Sequence, residues 1–471
     1  MYCAYITTIK ELRKHSNADR LQCATIFGNN VIVDLTYKEG QRVIYFPTDG
    51  QLSEEFANDN NLVRKKDDTG NNIGGYLDPD KRNITALRLR GEKSDGLVLP
   101  IEVLSKYVDI SNLKDGEQIT MLNGHEICKK YIPRSNYRQN GGTGTGNRTR
   151  KKKVPVAPLF SEHTDTEQLA YNLSAFKPGD EIEITLKMHG TSQRTGYLPV
   201  LKGYKKTLID KILRREGKPI YDWGYVSGTR RVVLEDFDGG YYGSNEFRET
   251  HSKFFEGKLN KGEAIFYEVV GFTHTGAPIM SSCNNKKLND KEFVKQYGEE
   301  TVFSYGCDNS TDVNISQDFG EDYVQTVRKL TSDIYVYRMT MTNEDGFTVE
   351  YTPDFMRYRC EQMGVKTVPV FATMKLTEGG GWVSRKDGTF SAVCDSDVGE
   401  FIKLVAEEFY DGTDPIGKTH IREGVVVRII NRPKFCAYKH KNFNFKVLEG
   451  IIKDTALAPD MEEAQELSKD E

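Results

Sequence analysis

The stretch Ile184-Thr185-Leu186-Lys187-Met188-His189-Gly190-Thr191-Ser192 decides how the rest of the chain is read. Its flanks, Glu181 to Ile184 and Ser192 to Tyr197, alternate polar and apolar residues and are rich in β-branched types, which predicts two strands. Between them Gly190 permits a tight turn and the close approach of a ligand backbone or phosphate. A lysine at the end of a buried strand, just ahead of a Thr/Ser-rich turn, is a candidate covalent nucleophile. A low dielectric and neighbouring cations favour its neutral, attacking form. On these residues alone a solvated strand-end lysine fits equally well, so its partners elsewhere in the chain decide.

The 471 residues have room for two or three domains, each with its own core. Apolar content of 37% and a mean hydropathy of −0.58 describe an ordinary soluble chain. No apolar run approaches the ~20 residues that span a bilayer, so no membrane association is expected. Met1-Tyr2-Cys3-Ala4 leads straight into strand-like sequence without a signal-peptide layout, and a cytoplasmic location is expected, in a cell or a virus-infected host. The eight cysteines are scattered and form no Cys-x-x-Cys, which fits reduced thiols better than a disulfide scaffold or a zinc site. A net charge of −4 does not advertise a nucleic-acid binder, but Lys129 to Lys153 holds nine Lys/Arg and no acid.

Four regions are expected. Residues 1–128 read as an all-β module, with strands predicted at Cys3 to Ile9, Gln22 to Phe27, Asn30 to Leu35, Arg42 to Phe46 and Ile84 to Arg90, separated by Gly-containing turns. That pattern suggests a small OB-like barrel. Arg88 and Arg90 fall on one predicted strand face and suit phosphate backbones, or a solvated face. Residues 129–155 form a basic, Gly-rich linker whose Lys151, Lys152 and Lys153 can reach nucleic-acid phosphates. Residues 156–455 read as a mixed α/β domain with antiparallel sheets and two helices, Pro353 to Met363 and Val398 to Phe409; Lys202 to Arg215 reads as a surface insertion. Residues 456–471 are an acidic tail. The fold class is α+β, and a monomer without protein partners is expected.

Downstream of Lys187, five patches repeat one style, a short apolar strand with a charged residue and a turn. They are Val226 to Val232, Ile265 to Gly271, Asp333 to Met339, Ile421 to Arg428 and Ala437 to Lys441. Lone carboxylates inside such runs, as at Glu268 and Glu423, are costly unless paired or metal-associated. Each patch taken alone also reads as a core strand with a satisfied ion pair. Together they suit attack on a nucleotide α-phosphate. Lys187 supplies the nucleophile, an arginine and the same-face pair Lys439 and Lys441 supply positive charge, and two acids hold the waters of a divalent cation. An aromatic strand offers a purine a stacking surface.

This ordered set resembles the covalent nucleotidyltransferases: RNA ligases, DNA ligases and mRNA capping enzymes. Lys187-Met188-His189-Gly190 is similar to the family's nucleotidyl-lysine signature, Lys-x-x-Gly. Ser227-Gly228-Thr229-Arg230 resembles the second motif, which implies that Arg230, or else Arg231, contacts the ribose or the strand terminus. Glu268 matches the first acidic motif, Tyr337 (or Tyr335) the stacking aromatic, and Glu423-Gly424 the second acidic motif. Lys439 and Lys441 match the closing Lys-x-Lys. Six motifs in the family's order are far more specific than any one of them.

His189-Gly190-Thr191-Ser192 and Phe160 to Leu169 look like the RNA ligase branch. So does the placing of an OB-like module ahead of the transferase domain; DNA ligases and capping enzymes carry theirs after Lys-x-Lys, where this sequence ends too soon for one. The resemblance implies an ATP-dependent RNA ligase with magnesium or manganese, sealing 3′-OH/5′-phosphate breaks or nicks in RNA-containing duplexes through lysyl-AMP. It places Leu186, His189, Gly190, Arg230, Tyr337, Lys439 and Lys441 around the nucleotide and Glu268 and Glu423 around the metal. Two departures stand out. Leu186 occupies a position that several RNA ligases fill with an acid, so the adenine amino group would be read by backbone, and Arg338 replaces an aspartate after the aromatic. The alternatives are a DNA ligase, a capping guanylyltransferase, or a non-catalytic OB-type RNA-binding protein.

Overall fold

Alternation along Glu181–Lys187 organises the larger of two units. The computed structural model describes residues 2–66, 69, 72–132, 154–207, 210, 217–234, 237, 245–314, 324–327, 329–385, 388–393 and 397–454. Their chain separates into a unit of 2–132, 283–300 and 442–454 and a unit of 154–282 and 301–441. Segments 283–300 and 442–454 thus group with the N-terminal residues, although by sequence they read as part of the region 156–455. The fold is mostly β, with antiparallel sheets and few helices.

The larger unit holds two seven-stranded sheets. In the first, Glu181–Lys187 lies between Gly424–Ile429 and Val370–Thr377, and Cys436–Lys441 pairs beyond Gly424–Ile429. Ile182 and Ile184 point into an apolar cluster with Val425, Val427 and Leu376, closed by Ile402 and Val405 of helix Val398–Tyr410. Glu183, Thr185 and Lys187 then fall on the opposite face, because successive strand residues alternate. The second sheet runs through Lys218–Gly228, Thr191–Lys205, Glu263–Gly271 and Ser332–Thr342. One of its faces packs Ile265, Tyr267, Val269, Ile334 and Val336 against the helix Pro353–Met363. That helix starts where Thr352 caps the amide of Phe355 with Pro353 in the first turn, and stops at Gly364 in the left-handed region.

Buried ions join the two sheets. Arg338 pairs with Glu350 of the second sheet, and Arg428 of the first lies 3.8 Å from the same carboxylate. Glu183 is met by Arg357 at 2.6 Å. One carboxylate cannot neutralise two guanidiniums, and Glu183, opposite Arg428 in the register, supplies a second negative charge.

The N-terminal part forms short antiparallel sheets. Leu97–Pro100, Arg42–Phe46, Ala4–Thr8 and Gln118–Ile119 make one, and Glu11–Lys14, Leu21–Ile26 and Asn29–Asp34 another. Ile6, Ile44, Phe46, Leu52 and Phe56 pack into its core. The predicted strands are present, but among the described residues they make separate sheets and no closed barrel. The predicted strand Ile84 to Arg90 is interrupted: Asn83–Ile84 and Ala86–Leu89 belong to different sheets, and Arg90 sits at φ +49° in a hairpin turn. Arg88 and Arg90 therefore do not share a strand face.

Candidate active site

Lys187 is the last residue of its strand, and Thr191 opens the next strand in the other sheet. The intervening turn crosses from sheet to sheet, so the lysine stands where the two meet. It needs a glycine. A Cβ on Gly190 would lie 2.5 Å from Val269 O and 2.8 Å from the Glu268 Cγ. The same contact brings Glu268 against the turn.

Across the first sheet Lys187, Gly424 and Lys441 form one row of register. Glu423, adjacent to Gly424 and 2% exposed, receives both lysines: its Oε1 lies 2.6 Å from Lys187 Nζ and 3.3 Å from Lys441 Nζ. His189 Nδ1 is 3.8 Å from Oε2. Lys439 shares the face of Lys441 by alternation, while Tyr438, just ahead of both, turns into the core. Leu186 is buried and its amide donates to Pro369 O at 2.9 Å, so neither its side chain nor its N–H faces the cleft.

A register shift separates the two tyrosines. Phe266 pairs with Arg338 and Tyr267 with Val336, leaving Tyr337 as the extra residue of a β-bulge. Bulges re-aim side chains. The Tyr337 hydroxyl meets Ser192 Oγ at 3.0 Å and His163 Nδ1 at 3.5 Å, which ties it to the turn carrying the lysine. Tyr335 is 6% exposed, with Lys366 over its ring. Burial drives His163 down to about 3, and Arg230 and Arg338 add to the effect, so the imidazole is neutral near pH 7.

Arg230 and Arg231 both face Asp165, at 3.7 and 2.8 Å. Arg230 is the less exposed of the two and lies on the His163 side. Their loop is held by a residue that sequence reading missed. Arg194, buried, binds the carbonyls of Thr229, Phe160, Ser161 and Arg231. Arg248, also buried, binds Ser192 O at 3.0 Å and Thr191 Oγ1. Nothing in their local sequence distinguishes these arginines from surface ones; His163 lay in a stretch already noted, without a role.

Of the proposed nucleic-acid contacts, Arg88 is engaged by Asp290 at 3.3 Å and Asn444 at 2.8 Å, and Arg90 is exposed. Lys151, Lys152 and Lys153 lie outside the described residues, as do most of the basic linker, the acidic tail and much of the insertion between Lys202 and Arg215.

Among the described residues no group of three or more His, Cys, Asp or Glu converges on one point. Glu268 and Glu423 nevertheless suit a hard divalent cation that keeps most of its waters and takes further ligands from nucleotide phosphates. No helix among the described residues is long and apolar enough to cross a membrane.

No protein family and no curated protein matches the chain. Solved structures do. The chain is similar to Naegleria gruberi RNA ligase with PPi, at a TM-score of 0.52 and 16% identity over 94% of this chain and 98% of that one. It is also similar to a lysine-to-alanine variant of that ligase with ATP and Mn, at 0.51 and 15% over 96% and 99%. A lysine-to-methionine variant with AMP and Mn matches at 0.51 and 16% over 94% and 97%. At this identity the likeness is one of fold.

Proposed function

We propose that this protein is an ATP-dependent RNA ligase that joins 3′-OH and 5′-phosphate ends through a lysyl-AMP intermediate. The observation that carries the reading is the convergence of Lys187 and Lys441 on the carboxylate of Glu423, with Glu268 against the turn that follows the lysine. The similarity in fold to an RNA ligase solved with ATP, AMP and PPi supports it.

In the first transfer the neutral Lys187 amine attacks the α-phosphorus of ATP. The N–P bond forms, the bond to the β-phosphate oxygen breaks, and pyrophosphate leaves. Glu423 is the acceptor within hydrogen-bond reach of the nitrogen and is placed to receive its proton. Lys441 and Lys439 lie on the face where the α-phosphate would sit and would offset its growing charge. Magnesium or manganese, held through water by Glu268 and Glu423, would neutralise the leaving pyrophosphate. Tyr337 would stack on adenine and Arg230 would meet the ribose or the strand end. AMP then passes from Lys187 to a 5′-phosphate, and a 3′-hydroxyl displaces it.

In this reading the N-terminal strands, OB-like in their short strands and Gly turns, hold RNA-containing duplex by sequence-independent phosphate contacts. Exposed Arg90 is better placed for that than Arg88. The protein acts as a cytoplasmic monomer.

Incubation with α-labelled ATP or GTP and magnesium, followed by a denaturing gel, tests the reading. Label from ATP, lost in Lys187→Ala with RNA binding retained, is expected. Label from GTP alone would move the protein to capping chemistry, and no label from either nucleotide would sink the transferase reading.

A further inference from the structure

Tyr305 lies far in sequence from every motif, yet its hydroxyl oxygen accepts the amide N–H of His189 at 2.7 Å, two residues beyond Lys187. The tyrosine is fully buried, and its backbone adopts φ +48°, a conformation rare for a bulky side chain. Such strain persists only where the surroundings over-determine it, and it clusters at functional sites. Here the surroundings are the loop ahead of Glu423. A Cβ on Gly417 would lie 3.0 Å from Tyr305 Cα, so the tyrosine backbone rests directly on that glycine.

The loop is stiff in its own right. Asp414 Oδ1 accepts the amides of Ile416 and Gly417 at 2.8 and 3.2 Å, and the Asp414 amide donates to His420 O. The His420 ring stands edge-on to Tyr305 at 4.7 Å, and Phe303 stands edge-on to both His189 and His420. One residue therefore touches the turn after the nucleophile with its hydroxyl and the loop before the carboxylate with its backbone.

We propose that Tyr305 is a positioning residue, which locks the Lys187 turn to the Glu423 loop and so sets the aim of the lysine amine. The inference rests on the nucleotidyl-transfer role given to Lys187. Tyr305 contacts neither nucleotide nor metal in this role. It acts through the His189 amide, and removing its oxygen leaves a buried N–H without its acceptor. The turn then relaxes, and small misplacements of a nucleophile carry large rate penalties.

The consequence differs between reaction steps. Forming lysyl-AMP requires an aimed Lys187, whereas sealing a pre-adenylylated RNA uses no lysine adduct. In Tyr305→Phe, single-turnover adduct formation from α-labelled ATP at saturating nucleotide is expected to fall about tenfold or more, with KM for ATP within about twofold. The same preparation should seal pre-adenylylated RNA at the wild-type rate. Gly417→Ala, which keeps the hydroxyl but pushes on the Tyr305 backbone, should show a smaller loss confined to the same step. It also carries the test if Tyr305→Phe does not fold.

Equal losses in both reactions, or no loss in either variant, would overturn the inference while leaving the ligase reading intact. A wild-type protein that forms no adduct would remove that reading, and the inference with it.

Discussion

The Nζ of Lys187 lies 2.6 Å from Oε1 of Glu423, the residue just ahead of the neighbouring strand Gly424–Ile429, and Lys441 approaches the same oxygen at 3.3 Å. In the proposed reaction these three residues would be the nucleophile, its proton acceptor and a cation for the α-phosphate, held in one cluster. Glu423→Gln preserves shape and removes the charge. Adduct formation from labelled ATP should slow by roughly a hundredfold or more, the range of a lost general base. A variant that labels at the wild-type rate would remove Glu423 from the chemistry.

The bulge at Tyr337 separates the roles of the two tyrosines. Tyr337→Ala is expected to raise the KM for ATP by roughly tenfold, the scale of a lost stacking contact, with modest effect on stability. Tyr335→Ala, at a buried position, should instead cost roughly 3–5 kcal/mol in a urea melt, as large core truncations do. The reverse pattern would make Tyr335 the stacking residue.

Glu350 serves both Arg338 and Arg428, all three being nearly inaccessible. Glu350→Gln would leave two buried guanidiniums without their shared counter-ion. Removing one partner of a buried pair costs about 3–5 kcal/mol, so the thermal midpoint should drop by several degrees. An unchanged midpoint would show that this shared carboxylate contributes nothing to stability.

Acid should destabilise the protein through its buried histidines. Burial lowers His163 to about 3 and His251 to about 4, both below the ordinary value of 6.5. The unfolded chain binds these protons first, so their contribution is complete above pH 6.5 and is lost as pH falls towards the folded values. Each such site adds a slope of about 1.4 kcal/mol per pH unit within that window. His163→Phe should flatten the stability profile by about that amount between roughly pH 4 and 6. An unaltered slope would show that His163 titrates normally in the folded state.

Much of this site was legible in the sequence because its signals are local. Strand alternation placed Lys187 opposite Ile184 and Leu186, and it put Lys439 and Lys441 on one face. Thr352, Pro353 and Gly364 marked the ends of a helix through groups that satisfy backbone bonds within one turn. Lys-x-x-Gly and Lys-x-Lys are likewise short enough for their spacing to carry meaning.

Other features come from pairings between distant residues, which no local pattern encodes. The bulge that re-aims Tyr337 arises where Glu263–Gly271 and Ser332–Thr342 come into register. The ion pairs of Glu350 depend on which arginines two separate sheets bring to one point. Short strands with Gly turns specify an all-β module but not its closure, since closure depends on how strand ends pair. The hydroxyl of Tyr305 reaches the amide of His189 across 116 positions. Residue types and periodicity thus determined the strands and which side chains share a face, because those signals are local, while the packing of strand against loop decided which distant groups meet at Lys187 and Glu423.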